Sequence, residues 1–238
     1  MKFLITSGGT KAPIDDVRHI GNNSTGRFGS ILALAAMKAG HEVVFIYAKG
    51  SDTPFSKRID ATKGIEAEDN VYEMLENYNS YSKQYDGVEY VDYNDYFDKV
   101  KGYSCGEYEP DVIILAAAVS DYAPVPSNGK ISSNEEELII SLKKTTKIIK
   151  LVKKWCPFAL LVGFKLLTDV SQKYLIEACE KQIQSTNADM CVGNLLNEIK
   201  SGNHNLTVVR PNKEPFFLKH SLPIYNAAGL IDIIEGYY

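Results

Sequence analysis

The chain has 238 residues, 45% hydrophobic and 24% charged, with a formal charge of −4. That size and balance suit a globular protein with a large core, and the acidic sign argues against nucleic acid as a partner. Four scattered cysteines (Cys105, Cys156, Cys179, Cys191) with no C-x-x-C pair, and four histidines with no H-E-x-x-H spacing, argue against a disulfide framework, a zinc ribbon or a protein-ligated metal centre.

The N-terminus enters an apolar strand over 3–5 with no basic n-region before it, and no later apolar run reaches membrane-spanning length. A cytoplasmic protein that keeps clear of membranes is expected. The strand runs into Ser7-Gly8-Gly9-Thr10, and a second polar turn, Asn22-Asn23-Ser24-Thr25-Gly26, feeds a helix over 26–39 that stops at Gly40. A strand follows over 43–47. The stretch 72–108 holds nine tyrosines among many acids with little periodicity, and reads as a surface segment of helix and loop. The near-continuous apolar run 112–119 reads as a strand buried on both sides. From its end leaves an arm, 122–142, that opens with Pro124, Pro126 and Gly129 and closes with a strand-like Leu138-Ile139-Ile140-Ser141-Leu142. Helices are expected over 146–155, 170–185 and 222–234, the last with Pro223 at its first position. Strands are expected over 160–164, 190–192, 206–210 and 215–218, the last two joined by the turn Pro211-Asn212-Lys213. The alternation implies an α/β fold: a three-layer, Rossmann-like, mostly parallel sheet with helices on both faces. A flap or dimer arm over 122–142 and an antiparallel C-terminal hairpin complete a single domain over 1–238.

Four patches carry candidate chemistry. The Gly8-Gly9 turn offers amides to a phosphate, or is simply a tight βα turn. No G-x-G-x-x-G follows the first strand, no acid ends the second strand at Tyr47-Ala48-Lys49-Gly50, and no G-x-x-x-x-G-K-[ST] occurs. Ser24 and Thr25 suit a helix cap, yet so many small polar residues before one helix also suit an anion at the positive end of its dipole. Ala116-Ala117-Ala118 at the end of a central strand admits a flat group, with Asp121 in reach of ribose hydroxyls or capping a turn. Lys130, on the Pro/Gly arm, is a cation that closure can carry onto developing negative charge.

In order and spacing these patches resemble the phosphopantothenate–cysteine ligases (phosphopantothenoylcysteine synthetases) of coenzyme A synthesis. The likeness continues through Val162-Gly163-Phe164-Lys165-Leu166-Leu167-Thr168-Asp169, Asn187-Ala188-Asp189 and Val192-Gly193-Asn194. It spans nearly the whole chain outside the tyrosine-rich stretch and, with no flavin-binding decarboxylase domain ahead of it, is similar to the monofunctional type. The resemblance implies a ligase that joins 4′-phosphopantothenate to L-cysteine through an acyl-nucleotidylate, with CTP or ATP as co-substrate, Mg2+ bridging the triphosphate, and a homodimer. By the same resemblance Leu115, Ala116, Ala117, Asp121, Thr146, Lys147, Ile148 and Phe164 form the nucleotide site. Lys130 is the flap lysine of the first step, Asn22 serves the second step, and Arg18 contacts substrate. Gly8, Gly9, Thr10, Ser24, Thr25 and Gly26 would hold phosphates. Lys181 is the nearest match to a family lysine that follows the Gly-Phe motif. The flap carries Ser132 and Ser133 where the fused enzymes carry lysines, so both nucleotides stay open, and Thr145-Thr146-Lys147 stands for a usual Thr-Pro-Lys. An NADP-dependent reductase using Gly8-Gly9 and Lys49, and a nucleotide-binding regulatory protein without chemistry, are the alternatives; no tyrosine with a lysine four positions on supports the first.

Overall fold

A computed structural model describes residues 1–56, 59, 61–134 and 136–237. The first half of the chain forms β1 (Lys2–Ser7), a short hairpin of β2 (Lys11–Pro13) and β3 (His19–Gly21), α1 (Arg27–Lys38), β4 (Glu42–Ala48), α2 (Ile65–Tyr81), β5 (Tyr85–Tyr90), α3 (Tyr93–Cys105) and β6 (Val112–Leu115). The second half forms β7 (Tyr122–Pro124), β8 (Leu142–Lys144), α4 (Ile149–Trp155), β9 (Leu160–Leu167), α5 (Gln172–Thr186), β10 (Met190–Leu195), α6 (Leu196–Lys200), β11 (Leu206–Val209), β12 (Phe216–Leu218) and α7 (Pro223–Glu235).

Eight strands make one sheet in the order β12-β11-β10-β9-β6-β1-β4-β5, parallel from β10 to β5 and antiparallel at β11 and β12. Alternation along the strands splits the core. Phe3, Ile5, Phe45, Ile114, Val162 and Val192 face Leu32, Ala36 and Leu230 of α1 and α7. Leu4, Val44, Ile113 and Leu161 face Tyr96, Val100 and Val152 of α3 and α4, while α5 covers Cys191 on that second side. The central strands are therefore buried on both faces, and they read as unbroken apolar runs for that reason. Helix α1 ends where Gly40 turns left-handed (φ 87°) and its amide bonds Met37 O at 2.9 Å, with His41 N on Ala36 O at 3.1 Å. From β1 the order steps outward through β4 to β5, and from β6 the opposite way through β9 to β10. The reversal lies between β1 and β6, where the loops leaving their carboxyl ends diverge and open a crevice. No helix among the described residues is long and apolar enough to cross a membrane.

Three expectations need correcting. The tyrosine-rich stretch is not a surface appendage. Its β5 pairs with β4, Tyr90 and Tyr96 are fully buried 5.0 Å apart, and Tyr108 Oη donates to Phe3 O. The strand expected over 112–119 ends at Leu115, because the chain peels away to line the crevice and Ala118 keeps only a bridge to Gly9. The strand-like end of the arm contributes only its last residue, Leu142, to a strand; β8 pairs there with β7.

Candidate active site

The crevice is built by the loops that leave β1, β6 and β9. After β1, Gly8 takes φ 83°, and a Cβ there would stand 2.6 Å from Ala48 Cβ. A Cβ on Gly9 would stand 2.6 Å from Asn22 O. The glycine pair thus lets three loops touch. Ala118 N donates to Gly8 O (2.8 Å) and Thr10 N to Ala118 O (3.0 Å), while Thr10 Oγ1 accepts from Ser120 N (3.0 Å). Thr10 is wholly buried and its amide is committed, so this turn braces the crevice and none of Gly8, Gly9 and Thr10 lines it. Asn22 belongs to the same brace: its Nδ2 donates to Ala118 O at 2.8 Å and to Ser120 Oγ at 3.0 Å.

Across the crevice, Gly26 precedes α1 in a left-handed conformation (φ 78°), anchored by Ser7 Oγ on its carbonyl at 2.9 Å. No side chain caps it; Thr25 Oγ1 accepts from Arg27 N at 3.3 Å. The positive end of α1 therefore faces the crevice beside the Ser24 and Thr25 hydroxyls. Opposite, Ala116 and Ala117 leave β6, and the Ala117 amide donates to Thr6 Oγ1 (3.3 Å), which takes a further bond from Tyr96 Oη (3.2 Å). The loop before α4 is tied down by Thr145 Oγ1 on Ser120 O (2.6 Å) and Tyr93 Oη on Thr146 O (2.6 Å). Lys147 Nζ lies 2.7 Å from Asp121 Oδ1 at the rim.

These walls enclose a cavity of about 1000 Å³, at the upper end of small-molecule sites. Ser24, Thr25, Gly26, Leu115, Ala116, Ala117, Asp121, Thr146, Lys147, Ile148 and Phe164 all line it. Arg18, Asn22, Lys130 and Lys181 do not. Lys181 is exposed on α5; its neighbour Gln182 lines the cavity and donates from Nε2 to Phe164 O at 3.4 Å. Sequence reasoning also missed His204, which lines the far wall and stacks on Phe28 with centroids 4.1 Å apart and planes 11° apart. Burial, with Arg27 nearby, pulls the His204 imidazole down to about 4, so it is neutral near pH 7. A lone loop histidine carries no spacing signal that would have singled it out.

The arm lies against the tip of the β2–β3 hairpin. Ser127 N donates to Ile14 O (2.9 Å), Gly129 pairs with Asp16, and Ile131 with Asp15. Arg18 is turned into the same contact, 2.5 Å from Asp15 Oδ2 and 2.8 Å from Ile131 O. Asn22 stands at the base of this hairpin and Lys130 lies beside its tip.

A mostly parallel sheet covered on both faces, with a cavity of mixed polar and apolar lining at its switch point, is a Rossmann-like α/β fold with a candidate ligand site. The family model of the DNA/pantothenate metabolism flavoprotein C-terminal domain matches residues 1–89 and 98–232, and the chain belongs to that family. It is 35% identical over 209 residues to the coenzyme A biosynthesis bifunctional protein CoaBC of Thermococcus kodakarensis, covering 87% of this chain and 44% of that protein. It is 31% identical over 229 residues to human phosphopantothenate–cysteine ligase, covering 83% and 73% of the two chains. The crystal structure of the DNA/pantothenate metabolism flavoprotein from Streptococcus pneumoniae superposes with a TM-score of 0.80 at 29% identity, over 100% of both chains. The chain thus spans less than half of the bifunctional relative.

Proposed function

We propose that this protein is a phosphopantothenate–cysteine ligase that joins 4′-phosphopantothenate to L-cysteine in coenzyme A synthesis, using CTP or ATP. The observation that carries the reading is the single cavity in which an uncapped helix start faces the Ala116-Ala117 and Phe164 walls. One end suits phosphate oxygens and the other a flat base. The human ligase relative and the family membership support the same chemistry.

The chemical problem is that a free carboxylate repels an amine and has no adequate leaving group. In the first step a carboxylate oxygen attacks the α-phosphorus of the nucleotide, and pyrophosphate leaves with the electrons of the broken P–O bond. In the second, the cysteine amine attacks the acyl carbon and the nucleoside monophosphate departs. The amides and hydroxyls of Ser24, Thr25 and Gly26 hold phosphate oxygens, and Lys130 stabilises charge at the α-phosphate as the first transition state forms. Asn22 orients the acyl group for the amine, and Arg18 meets the acid substrate through Nη1, since Nε and Nη2 are held by Asp15 and Ile131. Among the described residues no three His, Cys, Asp or Glu side chains converge as a metal site. The Mg2+ of a triphosphate would therefore take phosphate and water oxygens, with Asp121 the carboxylate in reach, and would neutralise phosphate charge.

The arm leaves Tyr122, Val125, Leu138, Ile139 and Leu142 exposed, Ile139 by 89%. A second copy of the chain covers this row in our reading, giving a homodimer in the cytoplasm.

The test is pyrophosphate release with CTP or ATP, with and without cysteine. Lys130→Ala should slow acyl-nucleotide formation about 10²–10³-fold, the usual effect of losing one charge-stabilising donor. Asn22→Asp should still form the acyl-nucleotide and stall before cysteine transfer. If labelled nucleotide shows both variants blocked at the same step, the division of roles is wrong.

A further inference from the structure

We propose that Asp15 is a positioning residue for the activation step, latching the arm so that Lys130 is presented at a fixed place. The inference rests on the assignment of Lys130 to that step. Asp15 is only 4% exposed although it carries a carboxylate. Its Oδ1 accepts from Val17 N (3.0 Å) and Arg18 N (2.8 Å), which folds the hairpin tip into a turn. Its Oδ2 accepts from Arg18 Nε (2.9 Å), Arg18 Nη2 (2.5 Å) and, from the distant arm, Ile131 N (3.0 Å). Arg18 Nη2 then donates to Ile131 O at 2.8 Å, so both backbone groups of Ile131 are held by the Asp15–Arg18 pair.

On the other side of the lysine, Gly129 N donates to Asp16 Oδ2 (3.1 Å) and Asp16 N donates to Gly129 O (3.3 Å). Four hydrogen bonds thus fix the two neighbours of Lys130. The lysine itself is exposed, and among the described residues nothing pairs with its ammonium. With its backbone anchored through both neighbours, Lys130 has only its side-chain torsions left to order when substrate arrives, which lowers the cost of placing its charge. Between Pro124 and Leu142 the described arm has no regular secondary structure, so these contacts, several of them charge-assisted, set its position.

Asp15→Asn keeps the shape and removes the charge. Whichever way the amide turns, its NH2 group meets N–H donors where a carboxylate oxygen accepted them, and the latch loosens. Acyl-nucleotide formation, read as pyrophosphate release without cysteine, should fall about 10- to 100-fold in kcat, the order that a 1 Å misplacement costs. The nucleotide KM should stay within about twofold, since Asp15 is outside the cavity. In a Lys130→Ala background the same substitution should add nothing. An unchanged kcat in Asp15→Asn beside a crippled Lys130→Ala, or additive losses in the double variant, overturns the latch while leaving the lysine's role intact.

If Lys130→Ala activates normally, the role of Lys130 falls and the positioning claim falls with it. The docking is then judged by itself, through tryptic cleavage after Lys130 in the free protein. Asp15→Asn should speed that cut at least about tenfold, and an unchanged rate refutes the docking. Should Asp15→Asn fail to fold, the exposed Asp16→Ala removes the side-chain acceptor of Gly129 N alone and should show the same pattern with a smaller loss. No effect of Asp16→Ala on either readout overturns the proposal.

Discussion

His204 shows how one side chain can couple the cavity to pH. In the folded protein its pKa of about 4 lies below the ordinary imidazole value of 6.5, because the ring is largely buried against Phe28 and Arg27 stands close. Between those values the unfolded chain binds a proton that the folded protein refuses, so stability falls as pH drops from about 6.5 to 4 and levels off below. The full shift corresponds to about 3 kcal/mol. His204→Gln should flatten the pH dependence of the melting temperature in that window; an unchanged slope would mean that the imidazole is not held neutral. Other site residues were easier to read. Ser24, Thr25, Gly26, Ala116 and Ala117 were legible because small residues beside a helix start or a strand end leave the backbone accessible. Lys181, which only the family resemblance singles out, lies outside the cavity lining while its neighbour Gln182 packs over Gly163, as helical neighbours pointing about 100° apart allow.

The tyrosine-rich stretch hides its strand and helices from the sequence for a physical reason. Its apolar periodicity is diluted by acids on the solvent side of α2 and α3, and a tyrosine is as much a surface residue as a core one until its hydroxyl finds a partner. Here the hydroxyls are struts. Tyr90 Oη reaches Ser7 O (2.9 Å), Tyr96 Oη reaches Thr6 Oγ1 and Tyr93 Oη reaches Thr146 O. Burial pushes the phenols of Tyr90 and Tyr96 far up, so they remain donors at any working pH. The segment props the cavity wall from behind. Tyr96→Phe leaves Thr6 and the Ala117 amide without that support and should cost about 1 kcal/mol in urea unfolding, with a higher nucleotide KM. Tyr72→Ala, at an exposed position, should change neither by more than about 0.5 kcal/mol. Equal effects from the two would refute the strut.

For the whole molecule, alternating strand and helix patterns were enough to imply a parallel sheet covered on both faces. The order of the strands was not legible, since runs such as Leu4-Ile5 and Ile113-Ile114 are apolar on both sides and look alike. The switch point follows only from the order, and so does the placement of the arm, which follows β6 and begins at β7, outside the main sheet. An arm that exposes Leu138 and Ile139 while its Gly129–Ile131 portion is latched within its own chain has two separable tasks. On the proposed function the apolar end would join copies, and the latched end would present Lys130. The wild-type protein should therefore sediment as a dimer at micromolar concentration. Leu138→Lys together with Ile139→Lys places two charges where apolar contact is needed, and should yield a folded monomer. Because Asp15, Arg18 and Asp16 of the same chain still hold the lysine, that monomer should keep more acyl-nucleotide formation than Lys130→Ala. A wild-type monomer would remove the first task. A monomeric variant as inactive as Lys130→Ala would show that the two tasks are one.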